Sequence, residues 1–228
     1  MDPKVYCALD TADFDHALSI AKSVTPHGCG LKIGLEFFNG HGPDGVRKIQ
    51  ESCKDVPIFL DLKYHDIPHT VEGAIKAINS LNVAYLNLHA SGGMEMMKAA
   101  REACAPQTKL LGVTVLTSLN EENLNSIGQQ TPIEYQVKRL AELSQLSGLD
   151  GVVCPSHEIK MLRKTCGSDF ILMVPGIRPE GSSKDDQKRV MTPEQAIEAG
   201  ATHLVIGRPI TAAKDPGKAA EKIMQTLA

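Results

Sequence analysis

At 228 residues, 42% of them hydrophobic and 22% charged, the chain has the make-up of a globular protein with a sizeable core. A formal charge of −3, no tryptophan and no Lys/Arg-rich run exclude the basic, aromatic surface of a nucleic-acid-binding protein. No apolar stretch nears the roughly 18 residues of a membrane span, and Met1 to Cys7 lack the pattern of a secretory signal.

Six cysteines (Cys7, Cys29, Cys53, Cys104, Cys154 and Cys166) are scattered without a CxxC pair, several of them in apolar strands. Free cysteine there acts as a small hydrophobe, so a reduced, cytoplasmic protein is expected. In chain order, Val5–Leu9 reads as a strand ending at Asp10, and Phe14–Val24 as an amphipathic helix. Leu31–Gly34 is a second strand, followed by a Gly-rich turn and a helix around Gly45–Cys53. Pro57–Leu60 opens a third strand, with a helix over about Pro68–Ser80. Val83–Leu88 and Gly93–Ala103 form the fourth pair, and Lys109–Leu116 with Thr131–Ser147 the fifth. Gly151–Cys154 and Ser156–Thr165 follow, then Phe170–Val174 and Pro193–Ala199, and finally His203–Ile206 and Gly217–Thr226.

Eight strand–helix units with no linker between them predict a parallel sheet closed into one (β/α)8 barrel over residues 1–228. A doubly wound open sheet is the rival architecture, but the first strand–helix turn carries no GxGxxG. Barrel sites lie at the C-terminal ends of the strands, and there the polar residues gather. Asp10 ends strand one, Lys32 lies on strand two, and Asp61 and Lys63 share one side of strand three by its period-2 alternation. Thr117 and Ser118 follow strand five, Gly176 and Arg178 strand seven, and Gly207 and Arg208 strand eight.

The run from Phe59 to Thr70 is the most charged of these junctions, with Asp61, Lys63 and Asp66 inside six residues at the end of an apolar strand. Such charges resist desolvation unless they pair or do chemistry, so the run is either an ion-pair cluster or a catalytic one. Gly followed closely by Arg after strands seven and eight suits a phosphate: glycine admits the oxyanion to backbone N–H groups and arginine supplies a forked ion pair. The polar stretch from Arg178 to Thr192, which includes Gln187, is either a disordered insertion or a lid over that anion. His65 and His69 have the spacing of a zinc pair, but Pro68 breaks the helix register between them, and no metal site is expected. Neighbouring Asp61 and Asp66 favour a charged Lys63, hence a proton donor rather than a Schiff-base amine.

The string from Phe59 to Thr70 resembles the signature of orotidine 5′-phosphate decarboxylases. The resemblance extends through Ala8-Leu9-Asp10, Leu31–Gly34, Leu116-Thr117-Ser118, Pro175–Arg178 and Ile206-Gly207-Arg208, with His69 in place of the family's frequent Asn. It implies decarboxylation of orotidine 5′-monophosphate to UMP without metal or cofactor. Lys63 would protonate C6 within an alternating array of Lys32, Asp61, Lys63 and Asp66, with Asp61 beside the substrate carboxylate. It also implies a homodimer in which Asp66 and Thr70 enter the partner's site. Asp10 and Lys32 would bind ribose, Ser118 the pyrimidine edge and Thr117 a further part of the ligand. Arg178, Gln187, Gly207 and Arg208 would hold the phosphate.

Two alternatives remain. Magnesium-dependent hexulose-phosphate synthases and keto-gulonate-phosphate decarboxylases share Asp-x-Lys-x-x-Asp but place an acid on strand two, where this chain has Lys32, a poor neighbour for a cation. A catalytically silent nucleotide-binding barrel would keep the phosphate residues but has no need of Asp61 and Lys63.

Overall fold

A computed structural model of the chain describes residues 2–129, 131–179 and 191–227. Its strands are β1 (Val5–Ala8), β2 (Gly30–Gly34), β3 (Ile58–Tyr64), β4 (Tyr85–His89), β5 (Lys109–Val113), β6 (Gly151–Val153), β7 (Ile171–Val174) and β8 (His203–Ile206). Each pairs in parallel with its sequence neighbours, and β1 with β8 closes the ring. The helices are α1 (Phe14–Val24), α2 (Leu35–Ser52), α3 (Pro68–Ile78), α4 (Met94–Ala103), α5 (Glu121–Ser126), α6 (Ile133–Leu146), α7 (Ile159–Cys166), α8 (Pro193–Glu198), α9 (Arg208–Thr211) and α10 (Pro216–Thr226). This is the expected (β/α)8 barrel. Among the described residues, no helix is long and apolar enough to cross a membrane.

Strand alternation sorts the side chains into two cores. Val5 and Cys7, Leu31 and Ile33, Ile58, Leu60 and Leu62, and Leu86 and Leu88 pack outward beneath the helices. The opposite parity fills the lumen with Tyr6, Ala8, Phe59, Tyr85, Leu111, Val113, Val153, Met173 and Val205. Lys32, Asp61 and Asn87 occupy that same inward parity one step further along their strands. The alternation that builds the apolar plug therefore also delivers polar groups to the mouth above it.

At the opposite end, Tyr6, Phe59, Tyr85 and His203 pack edge to face, with ring centroids 5.2 to 6.4 Å apart. Gly30 makes room for this floor, since a Cβ there would lie 2.6 Å from the Tyr6 ring.

Several boundaries differ from expectation. The second helix starts at Leu35, directly after β2, and continues through the stretch expected as a turn. Burying Phe37 against Phe14, 6.1 Å away, holds its first part, and Gly42 (φ 57°) kinks the helix just before Pro43 instead of ending it. The fifth strand stops at Val113 because its partner β6 ends at Val153, leaving one further bond from the Thr114 N–H to the Val153 carbonyl. Helices α5 and α9 were not expected; α5 is short and held by a reciprocal Asn120–Asn123 capping box.

His203 joins the aromatic floor to the N-terminal segment. Its Nδ1 lies 2.8 Å from the Pro3 carbonyl and its Nε2 2.9 Å from the Tyr85 hydroxyl. Burial pushes its pKa below the ordinary range, outweighing the Pro3 carbonyl and Asp2, which act the other way. The unfolded chain takes up this proton near pH ~6.5, so the stabilisation is complete above that pH and is lost as pH falls through the lower folded value. Thermal melts from about pH 7.5 down to about pH 5 should therefore fall more steeply for the parent protein than for His203→Gln. Parallel slopes would assign the acid sensitivity to another group.

Candidate active site

The C-terminal rim of the barrel gathers residues far apart in sequence. Lys32, on β2, is buried, and its Nζ lies 2.8 Å from Asp10 Oδ1 and 3.3 Å from Asp61 Oδ2. Asp61, on β3, is buried as well, and its Oδ1 receives Lys63 Nζ at 2.6 Å and Asn87 Nδ2 at 2.7 Å. Two ammonium groups and two carboxylates thus interleave directly above the lumen plug.

Burial alone would discharge Asp61 and Lys32. For Asp61, burial favours the neutral acid, but Lys32 and Lys63 outweigh it and hold the pKa below the ordinary carboxylate range. For Lys32, burial opposes the charge, while Asp61 and Asp10 outweigh it and raise the pKa above the usual lysine range. The cluster is mutually dependent: removing one partner of a buried pair typically costs about 3–5 kcal/mol, because the other charge is left stranded.

The two lysines are not equivalent. The Lys32 side chain is 7% exposed and locked between two carboxylates; that of Lys63 is 28% exposed and opens on the cavity. Lys63 also departs from regular strand geometry. The β3–β4 register breaks between Leu60 and Tyr64, and Lys63 takes a left-handed backbone (φ 49°). Its side chain reaches Asp61 as expected, but through an irregularity rather than simple alternation. For a non-glycine residue that conformation costs on the order of 1–2 kcal/mol, and such strain concentrates at functional positions.

Two connected cavities meet at Asp61, Lys63, Pro175 and Val205. One, of about 420 Å3, runs from Asp10, Lys32 and Lys63 to Gly176, Arg178, Gly207 and Arg208. The other, of about 240 Å3, is lined by Thr117 and Ser118 at the rim and by Phe59, Val113, Val153 and Val205 below. The larger falls within the ~300–1,000 Å3 usual for small-molecule sites. It has a basic end at Arg178 and Arg208 and an alternating charge cluster at the other, while the smaller provides a slot with an apolar floor. Asp66 and Thr70 are exposed and line neither cavity; within one chain, Asp66 accepts a hydrogen bond from the Ile67 N–H at 2.6 Å. Gln187 lies outside the described residues. Among the described residues, no group of three or more His, Cys, Asp or Glu is arranged to hold a metal ion.

The model described as Orotidine 5′-phosphate decarboxylase / HUMPS family matches residues 3–223. The chain belongs to this family. A relative named orotidine 5′-phosphate decarboxylase, from Shewanella sediminis (strain HAW-EB3), is 49% identical over 227 residues, covering 98% of this chain and 96% of its own length. The crystal structure of orotidine 5′-phosphate decarboxylase from Lactobacillus acidophilus superposes with a TM-score of 0.86 at 36% identity, covering 99% of both chains. That of Pyrococcus horikoshii OT3 orotidine 5′-phosphate decarboxylase gives 0.80 at 25% identity, covering 98% of each.

Within this orotidine 5′-phosphate decarboxylase-family barrel, sequence reasoning missed Asn87. It is fully buried, and its Oδ1 accepts the Lys63 backbone N–H at 2.8 Å. The available signal was an amide inside the apolar run Tyr85–Leu88, since a buried amide needs partners. Glu36, at the start of α2, also lines the larger cavity and was not anticipated.

Gly34 ends β2 beside the cluster, where a Cβ would come within 2.9 Å of both Asp10 Oδ1 and Lys32 Nζ. Its φ of −101° suits any residue, so Gly34→Ala should fold with a near-parental melting temperature. Displacing the ion pair by a fraction of an ångström should cut turnover about tenfold or more. Steady-state kinetics with a thermal melt checks this; full activity would mean that the pair tolerates displacement.

Proposed function

We propose that this chain converts orotidine 5′-monophosphate to UMP and carbon dioxide, with Lys63 donating the proton to C6 and no metal or cofactor taking part. The enzyme class, an orotidine 5′-phosphate decarboxylase of pyrimidine biosynthesis, follows from family membership and the 49% identical relative. A single barrel domain over 1–228 carries the activity. The observation that carries the mechanism is the interleaved Asp10–Lys32–Asp61–Lys63 cluster, in which only the Lys63 ammonium combines a carboxylate partner with access to the slot.

In this reading the nucleotide phosphate lies against Gly176, Arg178, Gly207 and Arg208, with Gln187 closing over it. The ribose meets Asp10 and Lys32, and the pyrimidine enters the slot with its edge toward Thr117 and Ser118. The C6 carboxylate then sits beside Asp61 and Lys63. The bond from C6 to the carboxyl carbon breaks, carbon dioxide departs and the electron pair stays on C6. The Lys63 ammonium stabilises that charge and supplies its proton, and solvent later reprotonates the amine. Because the cluster is oriented before the reaction and lies on an apolar floor, little reorganisation accompanies the charge shift.

Asp66 and Thr70 complete the site from the partner subunit of a homodimer, which agrees with their exposure outside both cavities of a single chain. A cytoplasmic location suits six free, buried thiols. The magnesium-dependent sugar-phosphate enzymes are disfavoured because the Lys32 ammonium already occupies the space between Asp10 and Asp61 that a divalent cation would need. A silent binding barrel would carry the buried charges without using them.

Purified protein in excess EDTA should deplete the absorbance of orotidine 5′-monophosphate and yield UMP, and Lys63→Ala should abolish this while still binding UMP. Orotidine, which lacks the phosphate, should show a far lower kcat/KM, since phosphate binding contributes to reaching the transition state. Activity that appears only with added magnesium would sink the cofactor-free mechanism. For the shared site, Lys63→Ala and Asp66→Asn subunits, each inactive alone, should regain activity when mixed and reassociated. No recovery in mixed dimers would place all catalytic groups in one chain.

A further inference from the structure

We infer that Asn87 is a positioning residue that fixes the Lys63 ammonium from both ends, an inference that rests on the decarboxylase reading of the site. Asn87 sits on β4 at the inward parity, fully buried, between the apolar plug and the charged cluster. Its side chain makes two bonds of opposite sense: Nδ2 donates to Asp61 Oδ1 at 2.7 Å, and Oδ1 accepts the Lys63 backbone N–H at 2.8 Å. The two bonds determine the orientation of the amide. A flipped group would aim its NH2 at the Lys63 N–H and its oxygen at the Asp61 carboxylate, losing both bonds and adding repulsion.

The same two bonds reach Lys63 by separate routes. One holds the backbone of a residue in the left-handed region, where the β3–β4 register is broken and regular ladder bonds do not restrain it. The other orients Asp61, whose Oδ1 also holds Lys63 Nζ at 2.6 Å. A long, flexible side chain is thereby fixed at its root and at its tip by a single amide. A purely structural asparagine would need partners of any identity; this one has Lys63 and the carboxylate that holds Lys63.

The test compares kcat, KM and UMP affinity for the parent, Asn87→Leu and Asn87→Asp across the pH range. Leucine has the same branched outline, with two bulkier methyls in place of the amide oxygen and nitrogen, and makes neither bond. Asn87→Leu should lose about 100-fold in kcat, the scale expected for misplacing a reacting group by about an ångström, with UMP affinity within a few-fold of the parent. In Asn87→Asp the introduced carboxylate can still accept the Lys63 N–H but has no hydrogen to give Asp61. Protonation restores that donor; burial and the Asp61 carboxylate raise the pKa at which this happens, against the Lys63 and Lys32 ammonium groups that flank Asp61. The activity of Asn87→Asp relative to the parent should therefore climb as pH falls, which a role confined to packing would not produce. The inference is overturned if Asn87→Leu keeps a kcat within threefold of the parent, or if Asn87→Asp follows the parental pH profile. Should Asn87→Leu fail to fold, the Asn87→Asp profile decides alone. An inactive parent would remove the decarboxylase reading, and the positioning role with it.

Discussion

Everything at the mouth of this barrel depends on the mutual compensation of buried charges. Neither Asp61 nor Lys32 would stay ionised alone at such burial; each is kept charged by the other and by its second partner, Lys63 for the carboxylate and Asp10 for the ammonium. Such compensation requires four side chains from three parts of the chain to meet within about 3 Å. Only a rigid, closed sheet with a fixed register delivers that. The pairing of Gly34 with Asp61, and of Lys32 with Phe59, puts the ammonium of one strand alongside the carboxylate of the next.

The apolar plug is the other half of the arrangement. Phe59, Val113, Val153 and Val205 belong both to the lumen core and to the floor of the smaller cavity, so the charges stand on a surface that offers them no solvation from below. That raises the strength of every interaction in the cluster and also the cost of any imbalance. Two residues of the same type differ in their setting there. Lys32, locked between carboxylates, maintains the balance, whereas Lys63 is exposed enough to meet a ligand.

Much of this was legible in the chain because it is encoded by local period. The alternation of short apolar strands with amphipathic segments yields eight units, and polar residues at strand ends mark the functional face without any knowledge of distances. Asp61, Lys63, Arg178 and Arg208 were identifiable in that way. The illegible parts have specific causes. Gly40, Gly42 and Pro43 look like a turn, and only the packing of Phe37 on Phe14 shows that helix begins before them. The Lys63 irregularity breaks the alternation used to place it. The Lys32–Asp10 pair joins β2 to the segment just beyond β1, and Asn87 reaches β3 from β4; such contacts exist only once the register is set. Asp66 and Thr70 show the converse: they stand out in the sequence, yet they line neither of the two cavities described for one chain.

The seam where β1 meets β8 has a temporal meaning. Val5 pairs with Leu204, so the first strand of the barrel must wait for its last before that edge is covered. Asp10 leaves one side of that seam, and Gly207 and Arg208 leave the other, all on the larger cavity. Until the ring closes, the side of the larger cavity carried by Lys32, Asp61 and Lys63 lacks the wall that Gly207 and Arg208 supply. The cavity is therefore complete only when the whole barrel has been made.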